Sequence, residues 1–193
     1  MDGIKKHLYK FLMVAAAAVL VVFDQFTKLM AEKYLMGKAP FVLINGVFEL
    51  NFIVNPGAAF GIFGGYRIML ITVTSVALAA LLIALLTGRL GGQSNAVKIA
   101  CTLILAGGAG NLIDRVFRHE VIDFFYFKAI NFAIFNVADC YVVIGASLIL
   151  FYYLFIYKES DKLPAHDNKD REGDTADGIA DADSSAGESG GQA

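Results

Sequence analysis

The chain has 193 residues, 57% of them hydrophobic, and a mean hydropathy of +0.60, above the range of soluble globular domains, so a membrane protein is expected. The formal net charge of -2 hides an uneven distribution: residues 159 to 193 hold ten acids and three bases, leaving eight acids and thirteen bases in residues 1 to 158. Cys101 and Cys140 both lie in or at apolar stretches, which suits small core residues better than a disulfide framework or a metal site.

Four apolar stretches approach the roughly 20 residues that a spanning helix needs. The first runs from Leu8 to Phe23 and continues more weakly to Leu29. It follows Lys5, Lys6 and Lys10 as a secretory leader would, but no small-residue cleavage site follows it and it runs straight into Asp24-Gln-Phe-Thr-Lys28, so it reads as a retained helix. The others are Ile68 to Thr87, Ala96 to Ile113 and Cys140 to Tyr157.

Between the first and second stretches, Phe41 to Val54 reads as two short strands joined at Asn45-Gly46. The aromatic, β-rich segment from Val116 to Phe135 is suited to adding a strand to the same small sheet. After residue 158 the chain is Asp, Gly, Ser and Ala with almost no large apolar residue, a composition that buries too little surface to offset its ordering entropy. The expected organisation is a four-helix membrane domain over 1–158 and an acidic disordered tail over 159–193.

Four spans put both termini on one side, and that side carries nine bases against seven on the other. The bias favours cytoplasmic termini, with the aromatic run from Phe151 to Tyr157 as an interfacial anchor. The opposite side then collects Asp24, Lys28, Asn55, Asn111, Asp114, Arg115, Asp123, Asn136 and Asp139. Ionisable groups at membrane depth are costly, so such a cluster marks a functional site. Asp24 and Lys28, four residues apart, also suit an ion pair closing the first helix. Asn55-Pro56-Gly57 is a turn signal, and Asp114-Arg115 suits a salt bridge at a helix end. The small residues from Ala106 to Gly110 suit close helix packing.

Asp123, within Val121-Ile-Asp-Phe-Phe-Tyr-Phe127, and Asp139, within Phe135-Asn-Val-Ala-Asp139, have no basic partner at helical spacing. Brought together, two such carboxylates would share one proton, leaving one to take a proton from water and the other to polarise a carbonyl. His119-Glu120-Val-Ile-Asp123 matches half of the zinc-protease pattern H-E-x-x-H, but the second His is missing and the segment reads as strand or loop. A four-span transporter with a carboxylate proton relay is the main rival reading. It would place its acids at mid-membrane rather than beside β-like loops.

Together, Asp24-Gln-Phe-Thr-Lys28, Asn55-Pro-Gly-Ala-Ala-Phe60, Gly110-Asn-Leu-Ile-Asp-Arg115, Val121-Ile-Asp-Phe124 and Phe135-Asn-Val-Ala-Asp139 resemble the lipoprotein signal peptidase (signal peptidase II) family over about residues 8 to 157. The resemblance implies four transmembrane helices with a small extracytoplasmic β-sheet in a bacterial inner membrane. It implies an aspartic endopeptidase with Asp123 and Asp139 as the catalytic pair. Asn55, Asn111, Arg115 and Asn136 would position substrate or the pair, with Asp24, Lys28 and Asp114 in support. The substrates it implies are prolipoproteins, cut just before a Cys that carries a diacylglyceryl group, with membrane lipid as surroundings. No cofactor, metal or nucleic acid is expected.

Overall fold

A computed structural model describes residues 2–57, 66–90 and 92–157. Ala58, Ala59 and Phe60 of the Asn55 motif, Lys158 and the acidic segment 159–193 lie outside the described residues. Four helices carry the architecture: α1 (Asp2–Leu35), α2 (Arg67–Leu86), α3 (Asn95–Phe117) and α4 (Val137–Phe151), the last continuing as a π-helical turn over Tyr152–Tyr157. All four are long and apolar enough to cross a membrane. Large apolar side chains along them, such as Phe11, Val22, Ile68, Val73 and Val143, are exposed, as lipid-facing surfaces require.

α1 runs well past its apolar stretch, so the Asp24–Lys28 pair lies within the helix and does not close it. The helix continues because Gln25, Lys28 and Glu32 find partners on α3 and its C-cap and Asp24 pairs with Lys28 and the start of α4, which removes the usual penalty for charge in a span. α3 starts at an N-cap in which Ser94 Oγ accepts from Val97 N at 3.3 Å. α4 starts with a capping box between Asn136 and Asp139.

The strands β1 (Phe41–Ile44), β2 (Phe48–Asn55) and β3 (Val121–Phe127) form one antiparallel sheet in the order β1-β2-β3. Both the hairpin at Asn45-Gly46 and the third strand follow the sequence pattern, and Gly46 takes the left-handed backbone (φ 71°) that the turn requires. The register sets Ile53 opposite Asp123 and Asn55 opposite Val121, with an irregularity between Leu50 and Ile53. Ala31, Ile122, Phe124 and Val137 form a small buried apolar cluster that fixes the sheet to α1 and α4.

α3 and α4 pack closely at their small residues. A Cβ on Gly107 would collide with the Ala138 carbonyl oxygen, and one on Gly145 would lie 2.8 Å from the Ala100 carbonyl oxygen. At Gly108, by contrast, the obstruction is the flexible end of Leu78. Gly107→Ala is therefore expected to destabilise the protein by about 1–3 kcal/mol, while Gly108→Ala is tolerated. Thermal unfolding of the two variants in detergent checks the difference, and equal melting temperatures would refute it.

Candidate active site

The site begins with a lysine. Lys28 is fully buried, and its Nζ lies 2.9 Å from Asp24 Oδ2, 2.8 Å from Asp114 Oδ2 and 2.9 Å from Asn111 Oδ1. Three donors on one ammonium are thus spent on two carboxylates and one amide oxygen. Asp24 and Asp114 are fully buried as well. Asp24 Oδ1 accepts from Ala138 N at 2.9 Å, tying α1 to the first turn of α4. A Cβ on Gly110 would stand 2.5 Å from Asp24 Oδ2, so only glycine fits there.

Lys28 fixes the Asn111 amide: with Oδ1 held by the ammonium, Nδ2 turns outward and donates to Asp139 Oδ1 at 2.7 Å. Asn136 is fixed in the same way. Its Oδ1 accepts from Asp139 N at 3.0 Å, which leaves Nδ2 to donate to Asp123 Oδ1 at 2.6 Å, with the Asn111 Oδ1 and Ile122 carbonyl oxygens at 3.1 and 3.2 Å. Asp139 Oδ2 in return accepts from Asn136 N at 3.1 Å. Asn136 therefore touches both carboxylates, one through its side chain and one through its backbone. Asn55 completes the arrangement: its Oδ1 accepts from Gly57 N, so its Nδ2 faces Asp123 Oδ2, 2.9 Å away.

All nine residues singled out in the sequence meet here. One local reading changes here. Asp114 and Arg115 do not pair with each other: Asp114 pairs with Lys28, and with Arg118 at 3.6 Å. Arg115 instead donates to the carbonyls of Gly57 at 3.0 Å and Asn111 at 3.2 Å. The sequence reading passed over three residues. Gln25 donates within 3.2 Å of Asp24, Gly110 and Asp114, and Arg118 links Asp114 to Glu32, 2.7 Å from Arg118 NH1. Their spacing was a usable signal, since Glu32 lies four residues beyond Lys28 and Arg118 four beyond Asp114. His119 falls in a left-handed turn (φ 74°) before β3, so the His119-Glu120 pair is not helical.

Asp123 is 2% exposed. Burial pushes its carboxyl up to about 6 from 3.8, and the Asp139 charge adds to the rise, while hydrogen bonds from Asn55 and Asn136 oppose it. The folded protein holds this proton more tightly than the unfolded chain does. Asp123 therefore favours the fold below about 4, and that contribution is lost as the pH rises through about 6. Beside Asn55 opens a cavity of about 550 Å³ lined by Asn51, Ile53, Tyr126, Phe132 and Ile134. Asn55→Ala is expected to raise the Asp123 midpoint above about 6, because it removes a donor that favours the anion. Infrared titration of the protonated carboxyl band reads this directly, and a lowered midpoint would contradict it.

Residues 16–155 match the family profile described as Signal peptidase (SPase) II. A Brevibacillus brevis protein named lipoprotein signal peptidase is 40% identical over 134 residues, covering 69% of this chain and 89% of that protein. One of the same name from Caldanaerobacter subterraneus is 37% identical over 145 residues, covering 75% and 96%. A solved structure described as a bacterial membrane enzyme, determined by the in meso method at 2.3 Å resolution, superposes with a TM-score of 0.70 at 30% identity, covering 80% of this chain and 93% of that one. With the profile spanning most of the chain and the relatives matched over nearly their whole length, this chain belongs to the signal peptidase II family.

Proposed function

We propose that Asp123 and Asp139 are the catalytic pair with which this aspartic endopeptidase removes signal peptides from prolipoproteins, cutting just before a Cys that carries a diacylglyceryl group. The observation that carries the assignment is Asn136, whose side chain holds one carboxylate and whose backbone holds the other. Two carboxylates bridged by one residue cannot both ionise cheaply, so they hold one proton between them. The ionised member takes a proton from a water molecule as the water attacks the scissile carbonyl, and the protonated member donates to that carbonyl oxygen. The four asparagine and backbone donors keep both carboxyl groups in place without themselves accepting a proton.

The remaining residues support the pair or the substrate. Arg115 Nε is buried with no hydrogen-bond partner among the described residues, which leaves a donor for a substrate carbonyl. The cavity beside Asn55 accommodates extended peptide, and the exposed apolar helix faces keep the acyl chains of the modified Cys in hydrocarbon. In this reading the protein sits in the bacterial inner membrane with cytoplasmic termini, the pair near the outer leaflet, and residues 159–193 as an acidic cytoplasmic tail. Neither metal nor cofactor takes part.

Asp123→Asn and Asp139→Asn are each expected to reduce cleavage of a lipidated prolipoprotein by at least about 10³-fold while the protein still inserts. The assay is purified protein with lipidated and unlipidated precursor, and substantial turnover by either variant would remove that residue from the pair. Topology is tested separately. Single cysteines at Gly46 and His119, in a background lacking Cys101 and Cys140, should react with a membrane-impermeant thiol reagent from outside the cell, and one at Gly92 should not. The reverse pattern would put the pair on the cytoplasmic face, out of reach of an exported substrate.

A further inference from the structure

The charged groups around the carboxylate pair come from every element packed against it. α1 contributes Asp24, Lys28 and, further out, Glu32; α3 contributes Asp114 and Arg115, and its C-cap Arg118; β3 and α4 carry the pair itself. Cys140 and Tyr141 are the other titratable groups at this end of α4, and Glu49 on β2 is taken up by Lys128, 2.7 Å away. Arg115 interacts electrostatically with Asp139, Asp123 and Asp114. Lys28 and Arg115 are thus the inner cations and Asp24 and Asp114 the fixed anions. These four cancel, so one charge on the pair leaves this inner set net negative even though Arg115 and Lys28 both act on the pair.

A third cation reaches in from the surface. Arg118 Nε lies 3.6 Å from Asp114 Oδ1, and Arg118 NH1 is held 2.7 Å from Glu32 Oε2. The Arg118 and Glu32 side chains are 30% and 40% exposed, whereas that of Asp114 is fully buried. Water screens the outer anion more than the inner one, so the guanidinium's unscreened effect falls on Asp114. From Asp114 a chain of short contacts leads inward: 2.8 Å to Lys28, 2.9 Å from Lys28 to Asn111, and 2.7 Å from Asn111 to Asp139.

We infer that Arg118 is a positioning residue for the active site: acting on Asp114, and through it on Lys28 and Asn111, it supplies a third cation that, with Lys28 and Arg115, lets the Asp123–Asp139 pair carry one negative charge. The inference rests on the reading of that pair as catalytic. Without Arg118, Asp114 keeps as its ion-pair partner Lys28, which it shares with Asp24, and Arg115 acts on it from beyond ion-pair distance; the pull of Lys28 on Asn111 weakens, and the pair holds its protons more tightly. A simple surface ion pair between Arg118 and Glu32 would have little such effect.

The test uses the full chain in detergent, comparing the parent with Arg118→Gln and Arg118→Lys. Cleavage is followed across pH, and the protonated-carboxyl infrared band, identified by its loss in Asp123→Asn, is titrated in parallel. Arg118→Gln should move both limbs of the pH–rate profile and the infrared midpoint upward by on the order of half a pH unit. Arg118→Lys should stay close to the parent. Unmoved midpoints in Arg118→Gln, even with slower turnover, would overturn the inference, as would an equal shift in Arg118→Lys, since then shape and not charge would matter. A parent protein that does not cleave would count against the catalytic reading alone, and the infrared midpoints would still decide on Arg118.

Discussion

A single ammonium group, that of Lys28, holds the membrane end of this molecule together. Inside a span, a lone lysine or aspartate costs about 3 kcal/mol or more, and removing one partner of a buried pair costs about 3–5 kcal/mol. Here the lysine is surrounded by Asp24, Asp114 and Asn111, so each group makes the burial of the others affordable. The consequence extends beyond charge. Asp24 uses its other oxygen to hold the first turn of α4, and Asn111 uses its other end to hold Asp139. Three helices therefore meet through one cation.

From that point inward the site is a series of amides whose orientation is set by what lies behind them. Lys28 orients Asn111, the Asp139 backbone orients Asn136, and the Gly57 backbone orients Asn55. Each of the three then presents its NH₂ to a carboxylate. Positioning of this kind suits catalysis, because donors already aimed at an anion need not reorganise during reaction. Among the described residues, the largest fully buried side chains are Lys28, Leu85, Asn136, Asp24, Asp114 and Asp123. Many large apolar side chains face outward, and beside the small apolar cluster under the sheet the interior at this end holds a buried polar network, unlike that of a typical soluble domain.

Much of this was legible in the sequence, for reasons that differ by element. Apolar runs of spanning length and the Asn45-Gly46 signal are local features, and they gave the four helices and the hairpin correctly. The residues that meet in the candidate site stood out because charge within an apolar chain is costly and has to be partnered. The end of α1 was not, because its continuation to Leu35 depends on partners on α3 some eighty residues away, which no local pattern records. The partners of Asp114 were misassigned for the same reason: adjacency in sequence suggested Arg115, while the helix periodicity turned Arg115 towards Gly57 and Arg118 towards Asp114. Gln25 was passed over because an uncharged amide in a span draws no attention until the acids around it are placed.

Asn136 starts α4 and also holds both aspartates, so the atoms that nucleate the helix are the atoms that build the site. Serine or threonine would cap the helix about as well, but neither carries the NH₂ that reaches Asp123 while its oxygen caps. The position cannot be optimised for helix formation independently of chemistry. It also means that fraying of a single helical turn, the least costly opening a helix undergoes, would take one donor from each carboxylate at once, leaving Asp123 to Asn55 and Asp139 to Asn111. If the pair is catalytic, the order of this one helical turn and the activity are therefore coupled through a single residue.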